Sequence, residues 1–225
     1  MIEEILKKLK DTKPQYSLVL PVSNKTVNFN PFKISDQKTL SIISQENNIG
    51  VILKNICNVI ENCSNVQNPE ELFIADLEFL FLHLRAKSVE EEIKLIIKKE
   101  VPVSFKLKID EIVCKKGSME ENLALSNGTI VEAEQLKVKD YFSLSKLDES
   151  DLIKKCIKAI VIDKHRYDLS SYDNEDLQKI INEISIKDEK ILKNFLKSAP
   201  HLYYSIDQNG EKIEIEGFLR FFISV

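Results

Sequence analysis

The sequence contains few of the residues that build compact catalytic sites. Its 225 residues include only five glycines and three histidines. With so few glycines, a Gly-rich phosphate-binding loop is barely possible. His83, His165 and His201 are far apart along the chain, and none has an acidic residue or a second histidine at ligand spacing. We therefore expect no catalytic residues and no cofactor, and we predict that the protein is not an enzyme.

Cysteine is also scarce, and its spacing matches no metal or redox motif. The four cysteines are Cys57, Cys63, Cys114 and Cys156. No pair has the C-x-x-C spacing of a zinc knuckle or a redox site. We therefore expect reduced thiols, mostly buried as small apolar side chains, and no bound metal.

Charge of one sign and long apolar runs are missing too. The net charge is −4, from 32 basic and 36 acidic residues, and only three of the basic residues are arginine. Recognition of phosphate and bases favours arginine forks on a one-sided basic patch, so no nucleic-acid partner is expected. No stretch reaches 18 uncharged apolar residues, and the N-terminus lacks the features of a signal peptide, so we expect no membrane partner and a cytoplasmic location.

The patterns that are present predict an α+β fold. It should comprise an N-terminal β-hairpin, a helical core, an antiparallel β-meander, and C-terminal helices with a final hairpin. The hairpin signals lie at residues 16–32, at Asn127-Gly128, which is typical of a type I′ turn, and at Asn209-Gly210. Helical spacing is found over residues 2–10, 36–46, 49–63, 72–84, 149–160, 175–184 and 187–198, and alternating strand spacing over residues 93–145. The segment 72–84 is apolar around nearly its whole circumference, which indicates a helix that is central to a core.

These elements suggest a chain that forms one compact unit from residue 15 onward. Residues 1–14 form an N-terminal helical arm, which either packs on its own domain or docks on a partner. The predicted regions that follow are a hairpin plus helical region (15–90), a β-meander (91–147) and a C-terminal helical region with a hairpin (148–225).

Five segments of the chain, in order, carry a resemblance to a known family. The strongest is Asp76 to Ser88 (DLEFLFLHLRAKS). The others are Tyr16 to Pro21 (YSLVLP), Asn30 to Phe32 (NPF), Phe195 to Leu202 (FLKSAPHL) and Ile215 to Phe222 (IEGFLRFF). These segments resemble the baseplate hub assembly proteins of T-even-like contractile-tailed bacteriophages. Together they span most of the chain, and residues 1–14 look like an extension before the usual start of the family.

The resemblance implies a non-enzymatic protein that promotes assembly of the baseplate hub in the host cell cytoplasm. It would do so by binding hub subunits or other phage tail proteins. The alternative is a structural hub subunit that is retained in the virion baseplate. Some members of the family carry cysteine pairs in the middle β region that suggest a zinc ribbon, but this chain has only Cys114 there, so no metal role is carried over.

Two sets of residues are candidates for partner binding. Arg85 and Lys87 end the most apolar helix, where cations are also favourable simply because of the helix dipole. The second set is an apolar run near the chain end, and it could equally pack the last element onto the core. Its residues are Phe218, Leu219, Phe221 and Phe222.

Two other classes of function are alternatives to a phage tail assembly protein. An enzyme can be assembled from scattered residues, for example a hydrolase that uses His83 or His201. A nucleic-acid-binding module is the third class, although the balanced charge argues against it. The sequence leaves the oligomeric state open.

Overall fold

The computed structural model describes residues 2–11, 14–36, 39–40, 45–97, 103–146, 148–208 and 211–216. The α-helices in these ranges are α1 (Ile2–Asp11), α2 (Ile49–Cys63), α3 (Ile74–Ser88), α4 (Glu149–Cys156), α5 (Asn174–Asn182) and α6 (Ile186–Lys197). The β-strands are β1 (Tyr16–Val19), β2 (Thr26–Phe29), β3 (Glu92–Ile97), β4 (Val103–Lys108), β5 (Val113–Lys115), β6 (Glu120–Ala124), β7 (Ile130–Glu134), β8 (Ile157–Ile162), β9 (His165–Asp168), β10 (His201–Gln208) and β11 (Glu211–Glu216).

All of these strands pair antiparallel, and the predicted α+β class is confirmed. β1 and β2 form the N-terminal hairpin, with Tyr16 opposite Phe29. β3 pairs with β4, and a three-stranded sheet has the order β11-β10-β5. The largest sheet has the order β6-β7-β8-β9.

Helix α3 lies at the centre of the fold, as its all-round apolar sequence predicts. One side, including Leu77, Leu80 and Leu84, packs against the hairpin and α2. The opposite side, with Leu82 and Ala86, packs against residues of β4, β10 and β11. A helix that is covered on two sides has no polar face to expose, which explains why its sequence shows no helical stripe.

A third hydrophobic cluster holds the C-terminal region together. It lies between one face of the β6–β9 sheet and the helices α4, α5 and α6. Val131 in β7 and Leu192 in α6 are completely buried there. The aromatic ring of Tyr141 contacts both this cluster and the one around α2, so the two regions are packed against each other.

The antiparallel meander is present, but its strands are not the ones that alternation over residues 93–145 suggests. That stretch supplies strands to three different sheets, and the meander consists of β6 to β9. β5 pairs instead with β10, where Cys114 lies opposite Leu202. Alternation defines the two faces of a strand, whereas the choice of a neighbouring strand depends on distant residues.

The prediction of a helix over residues 149–160 is wrong at its C-terminal end. Helix α4 ends at Cys156, and Ile157 begins strand β8. Ile157, Ile160, Val161 and Ile162 are β-branched, and such residues fit a pleated surface better than a helix. Helical spacing and strand-forming composition overlap in this segment, and burial against the sheet favours the strand.

Two turns connect strands of the β6–β9 sheet in ways that the sequence does not predict. One differs in type from the predicted turn, and the other has no predicted type. Asn127-Gly128 joins β6 to β7 as predicted, but only Gly128 has a positive φ (84°). That geometry fits a three-residue loop, not a type I′ turn, in which both central residues have positive φ. Asp163 and Lys164 both have positive φ between β8 and β9. Aspartate is common in such turns but lysine is not, so the sequence gives only a weak signal for this one.

A close backbone approach fixes the start of α2. The N–H of Gly50 donates to the carbonyl oxygen of Leu144 at 3.0 Å. A Cβ atom at position 50 would overlap the carbonyl oxygen of Phe142. Glycine is therefore required for α2 to lie directly against the 142–144 segment.

Some of the predicted elements lie wholly or partly outside the described residues. The helix predicted over 36–46 is described only at residues 39–40 and 45, which are helical, at Asp36, which lies in a short 3-10 turn, and at Glu46, which is not helical. The turn at Asn209-Gly210 is not described. The strands that flank that turn are described and pair as a hairpin. The boundaries of the four proposed regions stay predictions. Within the part of the chain that the structure describes, no helix is long and apolar enough to cross a bilayer.

Candidate functional site

The C-terminal end of α3 is joined to the segment that follows the N-terminal hairpin. The backbone N–H of Phe32 donates to the hydroxyl oxygen of Ser88 at 2.8 Å. The rings of Phe32 and Phe81 lie 5.8 Å apart. These two contacts place residues 32–34 beside the last two turns of the helix.

Arg85 lies on the side of α3 that faces this segment. Residues 81, 85 and 88 share one helix face because they are spaced by four and three positions. The guanidinium is about half buried, and burial lowers its pKa against the opposing effect of Glu90. Its Nη1 atom is out of solvent and has no hydrogen-bond partner among the described residues. A buried N–H without an acceptor is unfavourable, so turning this side chain outward to meet an acceptor on a partner would be stabilising.

Lys87, the second candidate cation, is already engaged within the molecule. Its Nζ atom lies 2.8 Å from Oε1 of Glu91, and this hydrogen bond raises the pKa of the lysine. The same Nζ atom lies 5.7 Å from the centre of the Tyr16 ring. Lys87 is therefore a weaker candidate for partner binding than Arg85.

Two strongly exposed aliphatic side chains lie at the same end of α3. Ile34 is 91% exposed and Val89, directly after the helix, is 70% exposed. We call Ile34, Arg85 and Val89 the α3 C-terminal surface. The sequence does not single out Ile34 and Val89, because periodicity cannot tell an exposed aliphatic residue in a loop from one that is buried.

The N-terminal end of the same helix holds a buried carboxylate that has its partners. Asp76 is completely buried. The backbone N–H groups of Val22 and Ser23 donate to its two carboxylate oxygens at 2.8 and 3.0 Å. Burial raises the pKa of Asp76, and these hydrogen bonds oppose that shift. The carboxylate closes the turn of the N-terminal hairpin onto α3, which is a structural role.

A cleft of about 480 Å³ opens where α3, α4, α6 and the β10–β11 hairpin meet. Its volume is within the range of ligand-binding pockets. Apolar side chains form much of its wall, and charged groups stand among them. The lining includes Ile74, Glu78, Leu152, Leu196, His201 and Glu216.

A glycine fixes one wall of this cleft. Ala199 and Pro200 line the cleft just before β10 begins. A Cβ atom at Gly117 would overlap the carbonyl oxygen of Ser198, so the β5–β6 connection can lie against this segment only with glycine at position 117. His201 follows, with its Nδ1 atom 2.9 Å from the carbonyl oxygen of Ala199.

The histidines of the hydrolase alternative contact carbonyls and carboxylates. Nδ1 of His83 lies 2.9 Å from the carbonyl oxygen of Phe79, and its Nε2 atom lies 3.8 Å from Asp110. Nε2 of His201 lies 3.7 Å from Glu216. Neither ring is hydrogen-bonded to a serine or cysteine within the described ranges, so no nucleophile–base pair is formed there.

The thiols behave as small apolar groups. Cys57, Cys63 and Cys156 are buried, and none of the four cysteines, all of which are described, forms a disulfide bond. Burial raises the pKa of Cys57 and of Cys156 to about 12, so neither is a thiolate near neutral pH. Among the residues that the structure describes, no three His, Cys, Asp or Glu side chains are placed to hold one metal ion.

The structure brings together only part of the predicted partner-binding set. Arg85 and Lys87 lie at the same end of α3, although on different sides of the helix. The remaining candidates, Phe218, Leu219, Phe221 and Phe222, lie outside the described residues. Their role as a binding surface stays a prediction.

Comparison with known proteins gives one clear match. A family model described as "T4 bacteriophage base plate protein" matches residues 13–223. The match covers nearly the whole chain and leaves out all of α1, in line with the expectation that residues 1–14 precede the usual start. No curated protein and no solved structure matches the chain.

Proposed function

The chain belongs to the T4 bacteriophage base plate protein family, and from this premise we propose that it promotes assembly of the baseplate hub by binding hub subunits. The family match over residues 13–223 is the observation that carries the proposal. The binding would take place in the host cell cytoplasm while tails are being built. We propose no catalytic step.

The α3 C-terminal surface supports a binding role. Ile34 and Val89 offer aliphatic side chains that a partner can remove from water. Arg85 lies at the same end of α3, and its Nη1 atom has no hydrogen-bond partner among the described residues. The patch is small, and small interfaces are typical of transient association more than of permanent subunit contacts.

The chemistry of this surface indicates what the hub partner should present. It needs apolar side chains to cover Ile34 and Val89. It also needs a carboxylate or carbonyl oxygen for Arg85, because charge-assisted hydrogen bonds to a guanidinium are strong and directional. Arginine is one of the residue types that are enriched among those that dominate the binding energy of an interface.

The proposal is tested by capture of the tagged protein from infected cells early in tail assembly, with the co-purifying proteins identified by mass spectrometry. The variant Ile34→Asp/Val89→Asp should recover at least tenfold less hub protein than the natural chain, because it places charge in the apolar part of the interface. The matched control is Ile186→Asp, which changes an equally exposed isoleucine (80%) at the start of α6. Equal recovery by all three forms, or no tail protein with any of them, would contradict the proposal.

Purified virions separate an assembly factor from a permanent subunit. Mass spectrometry of virions should find the protein absent or far below one copy per baseplate. Stoichiometric amounts would show that it stays in the baseplate as a structural hub subunit.

A further inference from the structure

We propose that the cleft between α3, α4, α6 and the β10–β11 hairpin is the docking site for helix α1 of a second copy of this chain, and that two copies exchange these helices to form a dimer. The cleft involves Ile74 and Glu78 at the start of α3, whereas the α3 C-terminal surface lies at the other end of that helix. The proposal therefore goes beyond the proposed function and can be tested separately from it.

Helix α1 leaves one of its sides uncovered within its own chain. Ile2 is 73% exposed and Ile5 is 52% exposed, and a spacing of three positions places them on the same side of the helix. The helix has ten residues, and an isolated helix of that length is marginally stable in water. A partner that covers the two isoleucines would therefore stabilise the helix and also remove apolar surface from water.

The cleft offers apolar side chains for the two isoleucines to contact. Ile74, Leu152, Leu196 and Pro200 line it, and none of the four is fully buried by the chain's own fold. The cleft volume of about 480 Å³ leaves room for two isoleucine side chains. An amphipathic helix that lays its apolar side in such a groove is a common mode of recognition.

The charges of α1 and of the cleft are complementary. The first turn of α1 is acidic, with Glu3 and Glu4, and Lys8 lies further along the helix. Lys197 lines the α6 side of the cleft and Glu216 lines the β11 side, with side chains that are 68% and 53% exposed. Both have an oppositely charged neighbour in their own chain, but exposed pairs of this kind contribute little and can rearrange. We infer that the first turn of α1 lies on the α6 side.

The position of α1 in the chain disfavours docking in its own cleft. Its last residue, Asp11, is five positions before Tyr16, whose ring lies near Lys87 at the C-terminal end of α3. Ile74 begins α3, so a rise of 1.5 Å per residue separates it from Lys87 by about 20 Å. Five residues span at most about 18 Å when fully extended. Docking within one chain would need a nearly straight link, and docking on a neighbouring copy would not.

A second copy is the partner that carries both halves of this contact. Helix α1 lies outside the family match over residues 13–223, so it is an addition to the shared fold. The cleft that matches it in apolar character and in charge belongs to the same chain. Exchange in both directions doubles the contact and closes the assembly at two chains.

Sedimentation equilibrium of the whole chain tests the proposal. We expect a reversible monomer–dimer equilibrium, and Ile2→Asp/Ile5→Asp should raise its dissociation constant by about tenfold or more, because charge is placed in an apolar contact. Leu196→Asp should do the same from the cleft side. The matched control is Ile186→Asp, which changes an exposed isoleucine (80%) at the start of the same helix as Leu196 and should have no effect. Leu196→Ala, read together with circular dichroism, replaces Leu196→Asp if that variant does not fold.

A mixture of the two variants tests whether the contact is made between copies. Ile2→Asp/Ile5→Asp has an intact cleft and Leu196→Asp has an intact α1, so neither forms the contact alone. When they are mixed, α1 of the second variant meets the cleft of the first. A mixed dimer should form with an affinity between that of the natural chain and that of either variant alone, because one of the two contacts is restored.

Charge reversal tests the direction of α1 in the cleft. Glu3→Lys/Glu4→Lys should weaken the dimer several-fold, because it places cations beside Lys197. Adding Lys197→Glu should recover part of that loss. The matched control adds Lys190→Glu, an exposed position on the same helix that does not line the cleft, and should recover none of it.

Four outcomes would overturn the proposal. The first is a natural chain that stays monomeric up to its solubility limit. The second is a dimer that Ile2→Asp/Ile5→Asp does not weaken. The third is a dimer that depends on α1 but not on Leu196, which would place α1 elsewhere on the second copy. The fourth is a mixture of the two variants that does not associate. Equal recovery with Lys197→Glu and Lys190→Glu would overturn the assigned direction, and Ile34→Asp/Val89→Asp should reduce hub recovery and leave the dimer unchanged.

Discussion

At its N-terminal end, α3 holds Asp76, a completely buried carboxylate with hydrogen bonds from two backbone N–H groups. At its C-terminal end, the same helix holds Arg85, a half-buried guanidinium whose Nη1 atom has no acceptor within the described residues. The two charged groups are nine positions apart on one helix. Both carboxylate oxygens of Asp76 accept hydrogen bonds from the fold. Nη1 of Arg85 has no acceptor among the described residues.

The difference separates residues that stabilise the fold from residues that are available for a partner. A buried charge with its partners in place is sensitive to removal, because the partners lose their hydrogen bonds. A charge with an unmet donor costs the fold stability and can be retained for what it binds. The exposed Ile34 and Val89 lie at the second end of α3 and not at the first, which agrees with this assignment.

The largest expected effect comes from removing the buried carboxylate. Asp76→Ala leaves the N–H groups of Val22 and Ser23 without their acceptor and opens the hairpin turn. We expect the free energy of unfolding to fall by about 3 kcal/mol, since each hydrogen bond to a charged group is worth about 1.5–3 kcal/mol. Urea denaturation followed by circular dichroism measures this. A loss below about 1 kcal/mol would mean that Asp76 is not the residue that closes the turn.

Asp76→Asn is the control, and it also tests the role of ionisation. Because burial raises the pKa of Asp76 in the folded chain, the folded state holds this proton more tightly than the unfolded state does. The stability that comes from this tighter binding of the proton is therefore fully present below the ordinary pKa of an aspartate, and it is lost as the pH rises through the folded pKa. We expect the free energy of unfolding of the natural chain, relative to that of Asp76→Asn, to fall over the same pH range.

A smaller effect, of the opposite sign, is expected at the other end of the helix. Arg85→Met keeps an unbranched apolar stem and removes the N–H donor that has no acceptor among the described residues. We expect the free energy of unfolding to stay the same or rise by about 1 kcal/mol, a figure reduced for the half-exposed position. Recovery of hub protein in the capture experiment should fall. If Arg85→Met is less stable and still binds hub protein, Arg85 stabilises the fold and does not serve partner binding.

The smallest effect is expected from Lys87. Lys87→Gln breaks the exposed ion pair with Glu91, which salt screens and which contributes little. We expect no measurable change in melting temperature and little change in hub recovery, in contrast to Arg85→Met. A loss of binding as large as that of Arg85→Met would extend the binding surface to the side of α3 that faces Tyr16.

The sequence predicts the elements whose signals are local. The bounds of α2 agree with the spacing of Ile49 to Cys63, and the burial of α3 on two sides agrees with its apolar circumference. The pairing of β5 with β10 and the start of β8 at Ile157 depend on residues far away in the chain, and sequence periodicity does not contain that information.

The same limit applies to the candidate site. Arg85 can be found from the sequence, because it ends an unusually apolar helix. The exposure of Ile34 and Val89 cannot, since it depends on what the fold leaves uncovered. The cleft combines residues as distant as Ile74 and Glu216, and no local pattern in the sequence indicates it.

The two-sided burial of α3 also has a consequence for when the protein becomes functional. One side of the helix is covered by residues made before it or soon after it, but the residues that cover the other side include Leu202, Ile213 and Ile215. A ribosome that adds roughly 5–20 residues per second needs at least about 6 seconds to travel from Leu82 to Leu202. During that interval the most apolar helix of the chain has one uncovered side, so the nascent protein is itself a candidate for chaperone binding before it can act on any other protein.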